Sequence, residues 1–98
     1  MQIKLTKEAQ RDIKTQLVHI TLEKGEDKAR QYYKDFLNKI AYLTQFPFLG
    51  AKLAAYPQIR HVTHKSIQIL YIVDLESVTI VRVLHSSQNL PDNLFWEV

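Results

Sequence analysis

His61 and His64 stand three residues apart, a spacing that can suggest metal ligation, but no cysteine and no nearby carboxylate completes a site around them. They are expected to be exposed strand histidines, and neither a metal nor any other cofactor is expected. Ser86 and Ser87, with His85 and Asp92, offer the residue types of a hydrolase triad, yet nothing in their spacing forms a nucleophile elbow. The absence of cysteine excludes thiol catalysis and a disulfide framework. The remaining candidates are Arg60, Arg82 and His85, with Lys52 and Lys65 as further cations. The two arginines either brace a sheet through carboxylates or the chain terminus, or serve an anion as planar, always-charged donors. His85 carries a group that changes protonation near neutral pH. The two lysines either add phosphate contacts or simply keep the surface soluble.

These residues fall on strands, and the pattern that places them there runs through the whole chain. Gln2 to Leu5 alternates as a short strand, with Ile3 and Leu5 on one face. Thr6 is an N-cap with Glu8 in the first helical turn. Ala9, Ile13, Leu17 and Ile20 line one helical stripe, and Gly25 closes the helix. A second helix starts at Glu26 or Asp27. It carries Ala29, Tyr32 or Tyr33, Phe36, Ile40 and Leu43 on its inner face, and ends at Phe46 and Pro47.

The period then changes from helical to alternating. Ile59 to Thr63, Ile67 to Val73 and Val78 to Leu84 read as three strands, with Asp74 to Ser77 as the hairpin loop between the last two. The expected fold class is α+β: an N-terminal strand, an antiparallel helical hairpin, then an antiparallel β-meander, in one sheet with the helices packed on one face. Regular alternation from Ile80 to His85 puts Arg82 and His85 on opposite faces, unless the strand ends or bulges near Leu84.

With 98 residues, 46% of them hydrophobic, the chain fits a single domain over 1–98, with 86–98 as a C-terminal tail. Leu94, Phe95, Trp96 and Val98 load that tail with apolar surface, which either packs back onto the core or is covered by a partner or a second copy. No signal-peptide core and no membrane-spanning run is present, so a cytoplasmic, membrane-free protein is expected. The formal charge is +3. It resides in the helical half, where nine Lys or Arg face six Asp or Glu over residues 1–50, against four and four over residues 51–98. A polyanion partner is permitted by this balance and not demanded by it.

The order of elements and several local motifs resemble the RelE/ParE superfamily of toxins from type II toxin-antitoxin systems. The resemblance rests on Ile3-Lys4-Leu5-Thr6 with Ala9 and Asp12-Ile13, and on Gly25-Glu26 with Ala29. It continues through Leu43 with Phe46-Pro47-Phe48-Leu49-Gly50, Ile59-Arg60, Ile69-Leu70-Tyr71, and Ile80-Val81-Arg82-Val83-Leu84-His85, covering about residues 2 to 94. It implies a toxin neutralised by a cognate antitoxin, whose flexible C-terminal segment folds on binding and wraps the toxin's surface in a hetero-oligomer.

Two branches of that superfamily imply two functions. In the ribonuclease branch, the 2′-hydroxyl of ribosome-bound messenger RNA attacks the adjacent phosphate without a metal. Arg60 and Arg82 match the family arginines by position, and His85 lies where some members carry the acid/base residue. In the ParE branch the toxin binds DNA gyrase and performs no reaction of its own. Gly25-Glu26-x-x-Ala29, Phe46-Pro47-x-x-Gly50 and Leu84-His85-x-x-Gln88-Asn89-Leu90-Pro91 resemble this branch more closely, although Asn89 departs from the acid often found there. The sparse charge of residues 51–98 points the same way, because a sheet that grips RNA would concentrate Lys and Arg. A third reading is a member that only binds its antitoxin and represses the shared promoter.

Overall fold

The computed structural model describes residues 1–65 and 67–85. The tail with Leu94, Phe95, Trp96 and Val98 therefore lies outside the described residues, as do Ser86, Ser87, Asn89 and Asp92. The elements are β1 (Gln2–Leu5), α1 (Lys7–Lys24), α2 (Glu26–Gln45), β2 (Ala51–Lys52), β3 (Arg60–His64), β4 (Ile67–Val73) and β5 (Ser77–His85). They build one five-stranded sheet in the order β1-β5-β4-β3-β2. The α+β class and the helical hairpin follow the expectation, and β3 is shifted by one residue from its expected span.

Thr6 caps α1 through its side chain, which accepts from the Ala9 N–H at 3.1 Å. Gly25 ends α1 and begins α2 at φ 94°, a backbone region closed to most side chains, although a Cβ there would meet nothing within 4 Å. The apolar stripes of both helices meet the sheet, where Ala9, Ile13, Phe36, Ile40 and Leu43 pack on Val62, Ile67, Ile69, Tyr71, Val78, Ile80 and Val83. Of the two neighbouring tyrosines, Tyr32 turns inward and Tyr33 stays exposed.

The opposite sheet face has its own small core. Leu53 and Ile59, from the segment after β2, pack with Leu70, Val81 and Leu84. This explains why β4 reads as nearly continuous apolar residues, since both of its faces are covered. Ser77, expected in the hairpin loop, is instead the first residue of β5. Its N–H and Oγ both donate to Asp74, whose Oδ1 also accepts from the Glu76 N–H. These donors hold the Asp74 carboxyl below the usual carboxylate range.

β1 runs parallel to β5 and pairs only as far as Ile80, opposite Leu5. Immediately beyond, Ile80 pairs with Tyr71 and Arg82 with Leu70, which leaves Val81 as the extra residue of a β-bulge. From there no strand lies beside the β5 edge among the described residues, and side chains of α1 and its N-cap take over. Thr6 Oγ1 donates to the Val81 carbonyl at 2.8 Å, Asp12 Oδ2 accepts from the Val83 N–H at 2.9 Å, and Gln16 Nε2 donates to the Val83 carbonyl at 2.8 Å. The Tyr32 hydroxyl donates in turn to Gln16 Oε1.

Burial, reinforced by the Asp12 charge, pushes the Tyr32 phenol from 10.0 up to about 12. Its proton is thus held more tightly in the folded chain, so the contribution is intact below pH 10 and is lost as pH rises toward 12. Urea unfolding from pH 8 to 11.5 should show a steeper alkaline loss for wild type than for Tyr32→Phe. Identical slopes would refute the assignment.

Candidate functional site

Arg82 lies opposite Leu70 and two residues before Leu84, which puts it on the face away from the helices. Its guanidinium reaches Asp12 of α1 through Nε to Oδ2 at 2.8 Å and Nη2 to Oδ1 at 3.2 Å. Side-chain exposures of 16% for Arg82 and 15% for Asp12 make this a largely desolvated ion pair, so each charge depends on the other. Asp12 carries three hydrogen bonds at once, because it also accepts from Val83. The arginine therefore braces α1 to β5 through a carboxylate.

Arg60 opens β3 opposite Tyr71, on the helix face. Its Nη1 donates to the Gly50 carbonyl at 2.7 Å, and its guanidinium sits 4.9 Å from the centre of the Phe48 ring. Tyr71 completes the arrangement by accepting from the Gly50 N–H and donating to the Pro47 carbonyl, both at 2.8 Å. Burial raises the Tyr71 phenol, opposed by the Gly50 N–H and the Arg60 charge, so it donates as a neutral hydroxyl. Two side chains separated in sequence thus hold the turn from Phe46 to Gly50 from below.

His85 pairs with Ile67 and lies on the helix face. The register between Arg82 and His85 is unbroken, so the two point to opposite faces; the bulge falls at Val81, before Arg82, and not near Leu84. Arg60 and His85 share a face but stand two strands and four residue rows apart, about 10 Å across and 13 Å along the sheet. The structure brings each arginine to a partner of its own and does not bring Arg60, Arg82 and His85 together.

The remaining candidates are equally dispersed. His61 faces Leu70 and His64 faces Ile67, on opposite sides of β3, and both are half-buried rather than exposed. No group of three potential metal ligands occurs among the described residues. Lys65 pairs with Asp35 of α2 at 2.8 Å, and this contact holds the Asp35 carboxyl low. Lys52 is exposed on β2.

A feature that periodicity did not single out is a groove of about 570 Å³ along the outside of the helical hairpin. Ile13, Leu17, Tyr33 and Leu37 contribute to its apolar floor, and the exposed Lys7, Arg11 and Lys14 to its rim, with no carboxylate among the residues lining it. The signal in the sequence was the cationic excess of the first fifty residues, which charge counting placed in the helical half without resolving it to one face. An apolar floor with a basic rim suits an acidic amphipathic segment.

Fold and surface together define a small α+β protein with a braced sheet edge, a rigid turn and a basic apolar groove. A family model described as the ParE toxin of type II toxin-antitoxin system, parDE, matches residues 3–90, and the chain belongs to that family. Among solved structures, one described as a chromosomal ParDE TA system from P. aeruginosa has a similar fold. Its TM-score is 0.75 at 23% identity, covering 87% of this chain and 95% of that one. No curated protein matches the chain. Among the described residues, no helix is long and apolar enough to cross a membrane.

Proposed function

We propose that this chain arrests growth by binding DNA gyrase, and that a cognate antitoxin silences it by folding an acidic amphipathic segment into the groove between α1 and α2. The observation that carries binding over RNA cleavage is the engagement of both arginines. Arg82 is bonded to Asp12 and Arg60 to the Gly50 carbonyl, and His85 is remote from Arg60, so no phosphate can meet all three where they stand. The basic rim of the groove supports the antitoxin half of the reading.

Induction of the chain in a bacterial host should leave translated messages intact while raising a DNA damage response and gyrase-linked breaks. Co-expression of the antitoxin should restore growth. Arg11→Glu with Lys14→Glu should weaken antitoxin binding by about tenfold or more, with little change in Tm, because both side chains are exposed. Messages cut within their coding regions, with cutting abolished by Arg60→Ala or His85→Ala, would replace the gyrase reading with the ribonuclease one.

A further inference from the structure

Residues 36–73 contain Lys39, Lys52, Arg60 and Lys65 and not a single Asp or Glu. Within this acid-free stretch, Tyr42, Phe46, Phe48 and Leu49 are exposed by 46%, 51%, 67% and 50%. Isolated exposed apolar residues are ordinary, but these four fall within eight positions at the end of α2 and the turn that follows. The Tyr42 and Phe46 rings lie 4.8 Å apart, Lys39 stands 5.7 Å from the Tyr42 ring centre, and Arg60 covers one side of Phe48.

The turn that presents them is held with little freedom. Pro47 and Gly50 are fixed by Tyr71, and Gly50 again by Arg60. A Cβ at Gly50 would come within 2.6 Å of the His61 carbonyl oxygen, so the turn is seated hard against β3. Aromatic rings fixed in advance lose little entropy on binding, and aromatic side chains with arginine concentrate at the energetic centres of protein interfaces. Four cations spread over 38 residues are too few to track a nucleic-acid backbone tightly, and Leu49 has no role in stacking on bases.

This surface is separate from the groove. Tyr42 follows Tyr33 by nine residues and Phe46 follows Leu37 by nine, two and a half helical turns, so the two pairs face opposite sides of α2. We propose that the turn from Phe46 to Gly50, with Tyr42, is the surface that grips the protein target, and that the complementary surface is an apolar pocket rimmed by carboxylates. The inference rests on the reading that the chain acts by binding a protein, and it assigns target and antitoxin to different faces.

The test uses the full chain with Phe46→Ser and Phe48→Ser combined, and separately with Lys39→Glu, which reverses one rim charge while leaving the turn intact. Each is scored for growth arrest on induction, inhibition of supercoiling by purified gyrase, antitoxin Kd, and binding of a labelled single-stranded oligonucleotide. The expected result is at least about a tenfold loss of arrest and of gyrase inhibition, with antitoxin Kd unchanged within twofold. Full arrest by both variants would overturn the inference. So would a parallel loss of antitoxin binding, or oligonucleotide binding by wild type that the variants lack. If wild type arrests growth without acting on gyrase, the gyrase reading fails on its own, and the arrest assay still decides whether this turn is the target surface.

Discussion

Asp12→Ala is expected to lower the unfolding free energy by about 3 kcal/mol, the order found when one partner of a buried ion pair is removed. The carboxylate leaves behind a largely desolvated guanidinium at Arg82 and a Val83 N–H with no replacement acceptor, so two losses arise from one substitution. For a domain of this size the corresponding fall in Tm is more than about 10 °C. Asp12→Asn should fall between the two, because its carbonyl can still accept from Val83 while the charge is gone. Arg82→Ala should cost less than Asp12→Ala, since Asp12 then keeps the Val83 N–H, and a double-mutant cycle would isolate the coupling. A shift below about 3 °C for Asp12→Ala would show that the pair contributes nothing to the fold.

The second large effect is expected at Gly50→Ala. The new methyl would come within 2.6 Å of the His61 carbonyl oxygen and 2.7 Å of the Tyr71 hydroxyl. His61 is fixed between Ala51 and Leu70 in the sheet, so its carbonyl has little room to retreat. The turn must move instead, stretching the bonds from Arg60 to the Gly50 carbonyl and between the Gly50 N–H and Tyr71. Overpacking of this kind costs about 1–3 kcal/mol. Hydrogen exchange should accelerate at residues 46–52 more than in the helices, and the exposed aromatics should lose their fixed presentation. Native exchange rates with an unchanged Tm would mean that the close approach is relaxed in solution.

Most of the fold was legible because its signals are local. Thr6 with Glu8, the stripe from Ala9 to Leu17, Gly25 and Pro47 each act within a few residues, and β4 and β5 declare themselves by branched side chains. β2 is only two residues long and carries no period to detect. The parallel pairing of β1 with β5 joins residues more than seventy positions apart. The bulge at Val81 has its reason in that pairing: it falls where β1 ends and α1 side chains replace it. For the same reason Arg82 could be recognised as a brace or an anion ligand but not assigned, because its carboxylate partner lies seventy residues away. The groove and the aromatic turn are properties of two elements meeting, which no single stretch of sequence displays.

The side chains that finish the β5 edge also bear on how copies of the chain meet at high concentration. A bare strand edge is a template on which a second copy can add its own strand and begin a fibre. Here Thr6, Asp12 and Gln16 occupy the hydrogen-bonding groups at Val81 and Val83 that such a copy would need. The outer strands are short, four residues in β1 and two in β2, each bearing a lysine, and β3 runs only three residues past β2. Strand addition by a second copy is therefore disfavoured along this stretch of β5, where the backbone groups it would need are already bonded within the chain.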